Sequence, residues 1–125
     1  SVEASLTIAS RDLWQRLYEA VSHMAERLSA YTISEEGVAH PFRDSVVTNL
    51  VRLVDVLPKL NVTGDPELDR LTAQVRATLI VDPKELRKSE AARNDTARAA
   101  AAIAEHMAGY MAGYHLGAMV RPEAA

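Results

Sequence analysis

Apolar positions in this chain recur at intervals of three and four, the spacing of helices, along most of its length. The first such pattern starts at about Leu6 or Ser10 and ends near Tyr31. Leu13, Leu17, Val21, Met24, Leu28 and Tyr31 mark one face, and Gln15, Glu19, Ser22, His23 and Glu26 mark the other. Trp14, Tyr18 and Ala25 broaden the stripe at its edge, so an amphipathic helix with one buried side is expected. Periodicity stops between Thr32 and His40, where Gly37 and then Pro41 indicate a connection rather than an element.

The second pattern is the densest. From Pro41 to Leu60, Phe42, Val46, Leu50, Leu53, Leu57 and Leu60 share one side at 100° per residue, and Val47, Val51 and Val54 widen it past half the circumference. Asp44, Thr48, Arg52, Asp55 and Lys59 leave only a narrow polar strip. A helix with so little polar surface needs cover on more than one side, which predicts that it lies at the centre of the fold. Pro41 suits its first turn, and Pro58 disturbs the hydrogen-bond ladder at Val54 and ends it near Leu60.

Asn61 to Gly64 read as a turn, and Asp65-Pro66-Glu67 as a helix start with an N-cap acceptor and a preset φ. That third helix is expected to reach about Ile80 with Leu68, Leu71, Val75 and Leu79 inward. Asp82-Pro83 repeats the signal for a short helix around Lys84 to Lys88. Ser89 then caps a long alanine-rich helix to about Met119, with Ile103, Met107, Tyr110 and Tyr114 as its larger contacts. Gly109, Gly113 and Gly117 recur there every four residues. Each costs about 1 kcal/mol against alanine inside a helix, which fits either close approach by another helix or a frayed tail.

The fold class predicted is all-α, an antiparallel bundle of four main helices plus one short helix, forming a single helical domain over residues 1–125. Leu13, Leu17, Val21, Leu28, Val46, Leu50, Leu53, Leu57, Leu71, Val75, Ile103 and Tyr110 are its predicted core. Residues 1–5 and 121–125 are expected to be disordered. Ser1 in place of an initiator methionine suggests processing or a piece of a longer chain, and the second is preferred.

Composition narrows the function by exclusion. At 125 residues, 48% hydrophobic and 25% charged, the chain suits a folded soluble domain, and the lack of cysteine excludes disulfides and thiolate metal sites while fitting a reducing cytoplasm. A net charge of −3 and a pI near 5.8 argue against nucleic-acid binding. Ala99 to Val120 has the length of a bilayer span, but its alanine and glycine content argues against insertion.

Candidate chemistry is sparse. Glu19, His23 and Glu26 share a face opposite the apolar stripe and read as solvated pairs. Glu105 and His106 point about 100° apart and do not converge on one ion, with His115 further on. No nucleophile elbow or phosphate-cradling loop occurs, and Lys84, Arg87, Lys88, Arg93 and Arg98 interleave with Asp82, Glu85, Glu90 and Asp95 as a mixed surface. No catalytic residue, metal or cofactor is therefore assigned. Interaction surface remains, placed on the last helix at Gly109, Gly113, Gly117, Tyr110, Tyr114 and Met111; its methionines serve either as core filler or as adaptable contacts.

Arg11-Asp12-Leu13-Trp14-Gln15-Arg16-Leu17, the segment VSHMAERLS at Val21 to Ser29 and the block FRDSVVTNLVRLVDVLPKLNVTGDPEL together resemble the carboxy-terminal region of an uncharacterised family of unknown function, associated with bacteriophages and mobile elements. The resemblance covers about residues 11–80 and thins beyond Asp82. It implies a phage or mobile-element origin, a helical fold and a longer parent with a further amino-terminal region; it transfers no catalytic residue. The function expected is a non-catalytic protein-protein interaction or oligomerisation module, with a protein partner or a homodimer. Two alternatives are an inhibitor docking on a host protein complex and a bundle binding a metal or small ligand.

Overall fold

The computed structural model describes residues 2–34, 36–39, 42–62 and 64–119, with the backbone alone for 2–9, 32–34, 38–39 and 113–119. The architecture is all-α. Helices α1 (Val2–Ala30), α2 (Asp44–Leu60), α3 (Pro66–Thr78), α4 (Pro83–Lys88) and α5 (Glu90–Met119) follow one another, and β1 (Thr32–Ser34) pairs antiparallel with β2 (Gly37–Ala39) between the first two helices. Two expectations are corrected here. Helix α1 starts at Val2, so residues 2–5 are helical, and the connection after Tyr31 contains a small hairpin that Gly37 helps to close at φ +118°. Pro41 and residues 121–125 lie outside the described residues, and α2 begins at Asp44.

The start signals act as their chemistry requires. Asp65 accepts from the amides of Glu67 and Leu68 at the head of α3, and Asp82 from Lys84 at the head of α4, each followed by proline. Ser89 Oγ accepts from the Ala92 amide to open α5. Asn61, buried at the end of α2, holds the turn from both sides. Its Nδ2 donates to the Asp65 carbonyl at 3.0 Å and to Asp69 Oδ1 at 2.9 Å, and its Oδ1 accepts from the Asp65 amide at 3.1 Å, while Gly64 takes φ +66°.

Helix α2 runs through Pro58 and ends at Leu60, where the sequence places its end. Proline has no N–H, so the Val54 carbonyl four residues back loses its partner in the helix. Arg76 of α3 supplies one: its Nη2 donates to that oxygen at 2.8 Å, and its Nη1 pairs with Asp55 at 3.0 Å. The gap that proline leaves is thus closed from a neighbouring helix.

The most extensive pairing is between α1 and α5, and α2 packs on α1 and α3. Trp14, about midway along α1, meets Tyr110 in the second half of α5, and Tyr31 just past the end of α1 meets Arg93 near the start of α5, so these two helices run in opposite directions. The expectation of a central α2 is corrected accordingly. At 29 and 30 residues, α1 and α5 offer each other far more area than the 17 residues of α2 can cover. The core is built from Leu13, Trp14, Leu17, Val21, Met24 and Leu28 of α1 against Ala100, Ile103 and Met107 of α5, closed by Leu50, Val54 and Leu57 of α2 and Leu68, Leu71 and Val75 of α3.

Short polar links hold the periphery. Arg87 of α4 donates to the Phe42 carbonyl and pairs with Asp44 at 2.7 Å, which fixes the entry to α2. Arg93, only 8% exposed, donates to the carbonyls of Leu86 and Arg87 and lies over the Tyr31 ring. A buried guanidinium is tolerable because carbonyl acceptors and an aromatic face replace its water.

Candidate interaction surface

The apolar arc of α2 is divided in two. Val46, Val47, Leu50, Val54 and Leu57 are buried against the rest of the protein. Beside them, Leu53 is only half-buried, and Val56 and Leu60 are 44% and 42% exposed. At 100° per residue, Leu53, Val56 and Leu60 fall within about 60° of each other on the flank next to the buried arc. Val62, in the turn that follows, is 74% exposed. The predicted inward position of Leu53 and Leu60 is corrected: α1 and α3 cover only part of a stripe that exceeds half the circumference.

Where this flank meets α1 there is a groove of about 530 Å³. Ala20, Val46 and Leu53 supply its apolar lining, with Arg16, Glu19, His23 and Asn49 around it. Glu19 accepts from Gln15, and Arg16 pairs with Asp12 at 3.1 Å, so α1 binds part of its own rim.

A second cluster joins α1, α3 and α5 at one end. Trp14 is fully buried, donates from Nε1 to Asp65 Oδ2 at 3.0 Å and stacks on Tyr110 with ring centroids 5.3 Å apart. Asp65 therefore serves both as the cap of α3 and as the acceptor for the indole. Arg70 of α3 is bound to Glu67 through Nε, and its Nη2 lies 3.2 Å from Nε2 of His106 on α5. The His106 ring in turn lies against Tyr110, with ring centroids 5.2 Å apart and planes tilted by 59°.

Hydrogen bonding from Arg70 holds the Glu67 carboxyl below its ordinary range, against partial desolvation, and the Tyr110 hydroxyl adds a further bond in the same direction. Desolvation raises the Tyr110 phenol, as does its bond to Glu67. The Glu67 shift follows chiefly from a donor that prefers the carboxylate, and the Tyr110 shift chiefly from desolvation that prefers the neutral phenol. Next to this cluster, Arg70, Gln74, Thr78, Ala102, Ile103 and His106 border a groove of about 340 Å³ between α3 and α5.

The residues expected to carry an interaction fare differently. Tyr110, expected in the core, is 39% exposed and stacked on Trp14 within its own chain. Met111 is half-buried against the core. Among the described residues nothing lies within 4 Å of where a side chain on Gly109 would begin, so the close helix approach, one of the two readings of these glycines, is not made there by the described residues. The backbone of α5 extends through Gly113, Tyr114 and Gly117, whose side-chain surroundings lie outside the described residues, as do those of His115.

Glu19, His23 and Glu26 are exposed on α1, and Glu105 and His106 on α5. Among the described residues, no three His, Asp or Glu side chains converge as a metal site would require, and no helix is long and apolar enough to cross a membrane. Sequence reasoning missed Trp14 as a fully buried anchor, although Trp14, Leu17, Val21, Met24 and Leu28 keep a strict three-four spacing. It also missed Val56, which the same helical projection places beside Leu53 and Leu60. No family model matches the chain, and no curated protein or solved structure shows similarity to it.

Proposed function

We propose that this chain is a non-catalytic helical interaction or oligomerisation module whose contact surface is the uncovered flank of α2. The observation that carries this reading is the division of the α2 stripe: Leu53, Val56 and Leu60 continue a buried apolar face into water, with Val62 beside them. Apolar groups gathered on one helix flank gain by being covered, at roughly 25 cal/mol per Å². A partner that completes the cover gains that energy. The arrangement we propose for the helices is an antiparallel bundle of four long helices with α4 as the short fifth, supported by the opposed ends of α1 and α5.

The last-helix residues Gly109, Gly113, Gly117, Tyr110, Tyr114 and Met111 form a second, smaller part of the proposed surface, supported by the open space at Gly109. A phage or mobile-element setting is proposed on the resemblance over residues 11–80. Within that setting, an inhibitor docking on a host protein complex would use the same flank of α2.

A photo-crosslinking residue placed at Leu60, and in a control at Thr48 on the polar strip, tests the reading in cells that make the protein. A discrete adduct from position 60, absent from position 48, is the expected result. A chain that gives no adduct from position 60 is not an interaction module of this kind.

A further inference from the structure

We infer that the occupant of the α2 flank is a second copy of this chain, packed antiparallel about a two-fold axis that passes close to Leu53; this rests on the interaction reading above. A symmetric pair requires a surface that complements itself, with each feature and its counterpart on the same patch. Helix α2 has both. Val56 and Leu60 form an exposed ridge towards its carboxy-terminal end, and towards its amino-terminal end Val46 and Leu53 line the groove shared with Ala20 of α1.

The spacing makes the two features interchangeable. Leu60 lies seven residues after Leu53 and Val46 seven before it, so each is displaced by ~10.5 Å along the axis. A two-fold at Leu53 places Leu60 of one copy opposite Val46 and Ala20 of the other, and the reverse, so the ridge enters the groove twice. Leu53 meets its own counterpart at the centre. Thr48, Asp55 and Lys59 of the polar strip lie away from this face at 100° per residue, whereas Arg52 borders it beside Val56 and Asn49 lies within it at the rim of the groove.

The chain has no cysteine, so a single introduced thiol reports the geometry without interference. Leu53→Cys is expected to form a disulfide-linked dimer on mild oxidation, because residues next to a two-fold can reach the Cα separation of about 4–7 Å that a disulfide needs. Thr48→Cys is expected to form no disulfide-linked dimer under the same oxidation. Sedimentation equilibrium of the full chain up to ~1 mM is expected to show a dimer. Val56→Glu with Leu60→Glu should weaken that dimer by on the order of 100-fold. Both replaced residues are exposed, and unchanged circular dichroism will establish that the variant folds.

A dimer that persists in the double variant places self-association elsewhere and overturns the inference. A strict monomer that nevertheless gives a Leu60 photo-adduct with a different protein also overturns it and leaves the interaction reading standing. A monomer without any adduct removes both.

Discussion

Arg76 donates to the carbonyl of Val54 at 2.8 Å, across the gap between α3 and α2. Pro58 leaves that carbonyl without a partner in its own helix, so the arginine and the proline form a coupled pair although they do not touch. Arg76→Met is expected to cost about 1 kcal/mol, at the modest end because half of the side chain is in water. In a Pro58→Ala background, where the amide of residue 58 can bond Val54 again, the cost should shrink. Urea denaturation of the four proteins of this cycle measures the coupling, and additive effects would refute it.

Trp14 should be the most sensitive core position tested. It is fully buried, stacked on Tyr110 and bonded to Asp65. Trp14→Ala is expected to cost about 3–5 kcal/mol, and Asp65→Ala about 1–2 kcal/mol through loss of the α3 cap. Thermal melts followed by circular dichroism give both values. Equal costs would mean that the cap, and not the packing of the indole, dominates this corner.

Two adjacent residues of α2 should separate stability from association. Leu57→Ala empties a fully buried position and is expected to cost about 2–5 kcal/mol. Val56→Lys, one residue earlier, changes a side chain that is 44% exposed and should alter stability by no more than about 0.5 kcal/mol. Calorimetry on dilute samples keeps the comparison free of association. A large loss at position 56 would show that the α2 flank is covered within the single chain.

Stability should depend on pH through Glu67 and Tyr110. Because the folded-state pKa of Glu67 is depressed, its contribution is present above the ordinary value of about 4.5 and is lost as pH falls through the lower folded value. The Tyr110 pKa is raised, so its contribution is present below the ordinary value of about 10 and is lost as pH rises through the higher folded value. Melting temperatures of Glu67→Gln should therefore fall less steeply than wild type on acidification, and those of Tyr110→Phe less steeply in alkali. Parallel curves for variant and wild type would deny these groups the role.

Gly109→Ala should stabilise α5 by about 0.5–1 kcal/mol, since the added methyl meets open space and gains helix propensity. The same variant tests the glycine surface. If Gly109 admits a partner closely, association weakens while the melting temperature rises.

The helices were legible because the chain marks their starts chemically. Asp65-Pro66, Asp82-Pro83 and Ser89 cap where their side chains suggest, and Leu68, Leu71, Val75 and Leu79 point inward as their spacing requires. What misled was the step from periodicity to position. Stripe width on α2 shows how much cover the helix needs and not whether its own chain supplies it, so Leu53, whose spacing points inside, is only half-buried against the core and Leu60 lies at the surface. Tyr110 shows the opposite limit: its spacing fits the core, yet it stays 39% exposed with its hydroxyl bonded to Glu67. The groove beside α2 depends on the lateral distance between helices, which no pattern along one strand of residues encodes.

Helix α1 finds its largest partner in α5, at the far end of the described chain. During synthesis α1 therefore leaves the ribosome long before the segment that seals it, and Leu13 to Leu28 must wait for the alanine-rich residues around Ile103 to be translated. The nascent chain passes through a period in which the apolar stripe of α1 has no permanent partner, and that period lasts until α5 has been released.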